Sequence, residues 1–345
     1  MNILLVTLYL SITYYSCAES RTYLASTSRL LRDYLRIVSP GDTIQLRDGY
    51  YSGNFIANRI GRANAPIRLV GSQRAVLLNK GGTALYLTGQ YWVLRGFTVI
   101  NSRRGIAIQN GKNNLVERVS IRNMDEEGIT IRQDSDSNTI RSCYIIRTGI
   151  RLPQYGFGIS IGSGDRQSFR GYADRSDRNV ISNNRIQTGA PAEAVHAFEG
   201  TCCGAVRENY FDGRPLTNLN NLQSYNRFWV SINGNNYQID RNRGVNTAND
   251  GFRVRMSDDS DGQNGLRSEG DGFGGRGGSD RDYNSDNNDI DIQGCGNRFS
   301  GNRCEANSNG FCIRVVNPNL CRIAIYSDNT AVGGVGLTNV GLTNL

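Results

Sequence analysis

One short pattern recurs along the chain: an opening residue, then an apolar, an outward-facing and a second apolar residue. It reads Ala84-Leu85-Tyr86-Leu87, Gly105-Ile106-Ala107-Ile108, Gly128-Ile129-Thr130-Ile131 and Gly158-Ile159-Ser160-Ile161. The series continues with Ala194-Val195-His196-Ala197, Trp229-Val230-Ser231-Ile232, Gly251-Phe252-Arg253-Val254 and Gly310-Phe311-Cys312-Ile313. Successive openings lie 21, 23, 30, 36, 35, 22 and 59 residues apart. Alternation over so few residues turns every second side chain towards a core, which is the mark of a short strand. Two more such strands follow within a unit, as in Trp92-Val93-Leu94 and Phe97-Thr98-Val99. A repeat of about 22 residues with three strands cannot bury its apolar face alone and must stack on its neighbours. The expected fold is therefore all-β, a parallel β-helix of roughly eight or nine coils spaced about 4.8 Å apart, with the longer gaps carrying loops.

Other segments fit around this rod. Residues 1–18 are uncharged and apolar, end in Ser16-Cys17-Ala18, and read as a signal peptide too short to span a bilayer. The expected product is a secreted, monomeric β-helix domain over 19–345. Apolar residues at Leu30, Leu31, Tyr34, Leu35 and Val38, behind Ser28, predict a short helix capping the first coil. Asn184, Asn209, Asn242, Asn302 and Asn329 precede comparable strands, which predicts a stacked Asn ladder at one corner. The Gly- and Leu-containing C-terminal tail is expected to finish the last coil. Seven cysteines remain after position 18, a number that predicts disulfides towards the C-terminal end with one thiol left over. The segment 257–292 breaks the repeat. It holds ten acids against three arginines, so the rest of the chain carries +15 against a whole-chain charge of +8. Its composition is that of an acidic surface insertion, and its Ser257 to Gly262 run departs from a calcium loop in first ligand and acid spacing.

Only two of the 39 basic residues are Lys, namely Lys80 and Lys112. Aligning the coils collects outward residues into rows on one face. One row holds Ser160, His196, Ser231, Arg253 and Cys312; the next holds Arg132, Phe198, Asn233, Arg255 and Arg314. Glu193, Glu199 and Asp250 stand at the neighbouring strand ends. Guanidinium forks bind carboxylates and sulfates in pairs, so such a face suits an acidic polysaccharide. A single His limits nucleophilic Ser-His-Asp chemistry to one site at most, and neither a Walker loop nor a dinucleotide fingerprint occurs. Export argues against a nucleic-acid partner, and no later segment is long and apolar enough for a membrane helix.

The runs SPGDTIQLRDGYYSGNF (Ser39 to Phe55) and APIRLVG (Ala65 to Gly71) resemble the opening of pectate-lyase-like right-handed parallel β-helix proteins. AEAVHAFEGT (Ala192 to Thr201), NDGFRV (Asn249 to Val254) and GCGNRFSGN (Gly294 to Asn302) resemble later parts of the same superfamily, which includes alginate lyases and chondroitinase B. The resemblance implies a right-handed coil and lyase-type β-elimination on a uronate polymer. In it the C5 proton is abstracted while an arginine or metal neutralises the carboxylate. Carried over, it makes Arg253 or Arg255 the base with His196 as helper, and Arg132, Phe198, Asn233 and Arg314 the substrate contacts. Glu193, Glu199 and Asp250 become candidate calcium ligands. It also implies Lys where this chain has Phe198, a departure that opens a second expectation: a non-catalytic matrix, cell-wall or biomineral-associated protein with a degenerate lyase site.

Overall fold

A computed structural model describes residues 20–163, 174–214, 227–256, 293–305 and 310–343. The expected signal peptide and the acidic insertion at 257–292 lie outside the described residues. The expected solenoid is present. Three parallel sheets of 11, 10 and 10 strands run the length of the rod; the first strand pairs with the second, and from the second on each strand pairs with the one three places further in sequence. The chain thus visits each sheet once per turn, winding as a right-handed parallel β-helix. The recurring pattern forms the third sheet. Leu85, Ile106, Ile129, Ile159, Val195, Val230 and Phe252 pair in register along it, and all seven are fully buried. Each such side chain contributes about 1.5–3 kcal/mol on leaving water.

More coils exist than the apolar pattern reveals. Strands at Thr22–Ala25, Thr43–Leu46, Gly49–Ser52 and Phe55–Ala57 precede the first recognised repeat. At the other end Gly336–Thr338 pairs with Phe311–Val316, so the tail does finish a last coil. These terminal strands were hidden because they carry Tyr, Gly or Thr where the central coils carry an Ile pair. The capping helix is Ser28–Ile37, with Leu31 and Leu35 buried. Its cap is Thr27 rather than Ser28: the Thr27 hydroxyl accepts from the Leu30 N–H at 3.2 Å. Among the described residues no helix is long and apolar enough to cross a membrane.

The Asn ladder forms as expected. Asn209 Oδ1 accepts from the Asn184 backbone N–H at 2.9 Å and from its Nδ2 at 3.0 Å. Asn209 in turn donates from Nδ2 to Ile181 O and to Asn242 Oδ1. The same exchange repeats from Asn242 to Asn302 and on to Asn329. A second ladder, of Asn114, Asn138 and Asn179, was not anticipated. Its residues are preceded by Asn113, Ser137 and Arg178, all in the left-handed region, as Asn183, Glu208 and Arg241 are in the first ladder. The corner therefore needs one left-handed residue to turn the chain and one Asn to satisfy the backbone groups the turn exposes.

Two disulfides, Cys295–Cys321 and Cys304–Cys312, brace the C-terminal coils, and the third joins the neighbours Cys202 and Cys203. Cys143 is the leftover thiol; burial pushes its pKa up to about 12. It is a core residue with no reactive thiolate at neutral pH.

Replacing Asn209 by Ala removes the acceptor of the buried Asn184 backbone N–H and the side-chain donor to the Ile181 carbonyl. A loss of about 2–4 kcal/mol is expected. It would be read as a lowered denaturation midpoint at unchanged m-value.

Candidate active site

The site is built on the outward side of the third sheet. There the backbone register stacks Thr130, Ser160, His196, Ser231, Arg253 and Arg314 in one row. Arg314 is a correction. The repeat placed Cys312 opposite Arg253 and Arg314 beside Arg255. Instead Ile313 faces Phe252, Arg314 faces Arg253, and Arg255 faces Val316. A slip of two residues keeps every side chain on its own face, so alternation alone cannot detect it. Cys312 is buried and disulfide-bonded to Cys304 rather than part of the outward row.

A second row emerges from the same register. Two residues before the first inward position of each strand stand, in order, Glu127, Phe157, Glu193, Phe228, Asp250 and Phe311. Acid and aromatic alternate from coil to coil, and the two kinds share the arginines. The Arg253 guanidinium lies 4.2 Å from the Phe228 ring centre, while its Nε donates to Ser231 Oγ at 3.3 Å. Arg314 lies 4.7 Å from the Phe311 ring centre and donates to Asp250 at 3.2 Å. Asp250 also accepts from the Phe311 N–H at 2.7 Å. A ring and an oxygen acceptor thus hold each guanidinium, the Ser231 hydroxyl for Arg253 and the Asp250 carboxylate for Arg314.

His196 sits at the centre of the row. Its side chain is nearly buried, with the Phe198 ring 4.1 Å and the Phe157 ring 5.2 Å away between centres. Nδ1 lies 3.5 Å from Glu193 Oε2, an ion-pair distance too long for a full hydrogen bond. Neither ring nitrogen has a hydrogen-bond partner. Among the described residues eight buried side-chain polar atoms lack one, and six of them are on this face. They are Arg132 Nε, Ser160 Oγ, both His196 nitrogens, Asn233 Oδ1 and Arg255 Nε. A buried polar atom is normally paired, so this concentration marks where a polar ligand would complete the surface. Burial by itself raises the Glu193 carboxyl, but His196 and the nearby Arg253 charge outweigh it and hold the pKa below 4.5.

Of the residues chosen from sequence, His196, Phe198, Asn233, Arg253 and Arg255 share the middle coils. Arg314 lies one coil beyond Arg253 and is engaged by Asp250. Arg132 is two coils before His196, where its guanidinium is 2.6 Å from Glu127. Of the three carboxylates chosen for calcium, Glu193 faces His196 and Asp250 faces Arg314, and among the described residues no group of three or more potential ligands converges. Sequence reasoning passed over Phe157 and Phe228, whose one signal is their recurrence two places before successive strands.

Residues 12–179 match the family model described as Pel9A-like, right handed beta helix region. An alginate lyase from Paenibacillus sp. superposes with a TM-score of 0.74 at 26% identity, over 92% of this chain and 97% of that one. Pectate lyase Pel9A gives 0.57 at 12% identity, covering 92% and 79%. A PL6 family alginate lyase, AlyGC, gives 0.62 at 14% identity, covering 92% of this chain and 40% of its own. No curated protein sequence matches. The resemblance to pectate-lyase-like β-helix proteins thus holds in sequence and in structure.

The depressed Glu193 pKa has a definite sign. Its stabilising contribution is complete above the ordinary carboxyl value of 4.5 and is lost as pH falls below it towards the folded-state value. Thermal melting of Glu193→Gln should show a shallower decline over that acid range than the parent protein. Parallel curves would show that Glu193 is not ionised against His196 and Arg253.

Proposed function

We propose that this chain binds an acidic, uronate-containing polysaccharide along the outward face of the third sheet and cleaves it by β-elimination. The observation that carries this reading is the unpartnered His196 imidazole, beside Glu193 and in the same row as Arg253, on a face rich in unsatisfied polar atoms. Glu193 beside Nδ1 favours a proton there and leaves Nε2 as the acceptor. A free imidazole nitrogen can take a proton as a general base.

The roles differ from those carried over from the family resemblance. An arginine is a poor base because its guanidinium stays protonated. Arg253, stacked on Phe228 and close to the Glu193 charge, is suited instead to pairing with the substrate carboxylate. That pairing offsets charge developing as the C5–H bond breaks. His196 Nε2 takes the C5 proton, the electrons form the C4–C5 double bond, and the C4–O bond breaks. The imidazolium then returns the proton to the departing oxygen. Asn233 and Arg255 supply polar contacts and Phe198 a ring for a sugar face. Disulfides and the signal-like leader support an exported protein acting outside the cell.

A second reading is a non-catalytic polysaccharide-binding protein of matrix or wall. The stacking of Phe198 on His196, together with the absence of Lys from these coils, favours it.

The test is ultraviolet absorbance of unsaturated uronate during incubation with alginate, polygalacturonate and glycosaminoglycans. Product should accumulate on one of these, and His196→Ala should lower the rate about 10²–10⁴-fold. Arg253→Ala should cost about 10²-fold or more at an unchanged melting temperature. No product on any of them, with salt-sensitive retention on an acidic glycan matrix, would establish the binding role instead.

A further inference from the structure

The second sheet presents its own row to solvent, on a different side of the rod from His196. In register, Tyr144, Arg185, Tyr210, Arg243 and Arg303 stand one above another on successive coils. All point outward, since Ile145, Ile186, Phe211 and Cys304, one residue further along their strands, are buried. Tyr144 is 37% exposed, and all three arginines are exposed. The Arg185 guanidinium lies 4.7 Å from the Tyr210 ring centre, and Arg243 approaches the same ring from the next coil at 6.0 Å. One carboxylate, Glu305, serves both Arg243 and Arg303, each at 2.9 Å. Arg185 has no ion pair among the described residues. Three guanidinium groups thus face one acid.

We infer that this row is a second binding surface for an extended acidic polysaccharide, distinct from the His196 face and without chemistry of its own. Five positions at the coil spacing span roughly 19 Å along the rod axis. Rings and forks alternate at Tyr144, Arg185, Tyr210 and Arg243. An exposed tyrosine ring offers a flat apolar face to a pyranose, and each guanidinium pairs with a carboxylate in two parallel hydrogen bonds. Side chains set one per coil along a straight line match a linear polymer better than a folded acidic protein, whose charges follow no such line. Stacking against tyrosine restricts the Arg185 side chain before the ligand arrives, which lowers the ordering cost of binding. The choice of ligand rests on the polysaccharide reading of the His196 face; the existence of the row does not. A polymer held here would stay tethered while a distant stretch reaches the other face, raising its effective concentration there.

The experiment is affinity electrophoresis in gels containing sodium alginate or polygalacturonate, at low and raised salt. The proteins compared are wild type, Arg185→Glu, Tyr144→Ala and, for the other face, Arg253→Ala. Circular dichroism melting would confirm that all are folded. The row variants should lose about 5- to 10-fold in affinity for the long polymer. They should keep wild-type behaviour towards short oligouronates at the His196 face. Arg253→Ala should retain the salt-sensitive binding that the row variants lose. Wild-type affinity in both row variants would overturn the second surface while leaving the proposed function standing. Failure of wild-type protein to bind either polymer, or a glycosaminoglycan in the same gels, would overturn both.

Discussion

Residue-for-residue parallel pairing of each coil with the next is the constraint from which the rest of this molecule follows. A single coil of about 22 residues buries too little apolar surface to offset the entropy of ordering it. Once stacked, each inward Ile, Val or Phe meets its counterpart above and below, and nearly every backbone group of the strands finds a partner. The corners are the weak places in such a design, because the turning chain cannot complete its own hydrogen bonds. Two Asn ladders supply the missing partners, each amide serving the coil on either side. The left-handed residue that precedes every ladder Asn but Asn329 and the ladder itself are two halves of one device.

The same stacking generates function-bearing rows. A residue type recurring at one place in the repeat becomes a continuous line down the outside, whatever its distance in sequence. On the third sheet this converts scattered Glu, Phe and Arg residues into alternating carboxylates and rings that grip successive guanidinium groups. Arg253 and Arg314 are each held by aromatic and polar neighbours from adjacent coils. Beside these pairs stands His196, flanked by Phe157 and Phe198 and without a hydrogen bond on either nitrogen.

Much of this was legible beforehand. Seven of the eight recognised strands fall in the register that apolar alternation assigns them, and the Asn ladder lies where its five residues were expected. The row of His196, Ser231 and Arg253 was legible for the same reason. The eighth strand was misplaced by two residues because a period of two looks the same after such a shift. The N-terminal coils were missed because Tyr51 and Phe55 fill the core without an Ile pair. Phe157 and Phe228 escaped notice because an aromatic in a loop between strands has no periodicity of its own to declare it.

Alternating apolar residues at near-regular intervals determined by themselves that the chain is a stacked β-solenoid, and which side chains face outward. That information is local, since the direction of a side chain in a strand depends only on its odd or even place. What the tertiary structure alone decided is which outward groups neutralise one another and which are left wanting. Glu193 faces His196, and Arg314 stands opposite Arg253 rather than Arg255. These pairings depend on distances of a few ångströms between coils as far as 61 residues apart in the chain (Arg253 and Arg314), and electrostatic contact falls off over just that range.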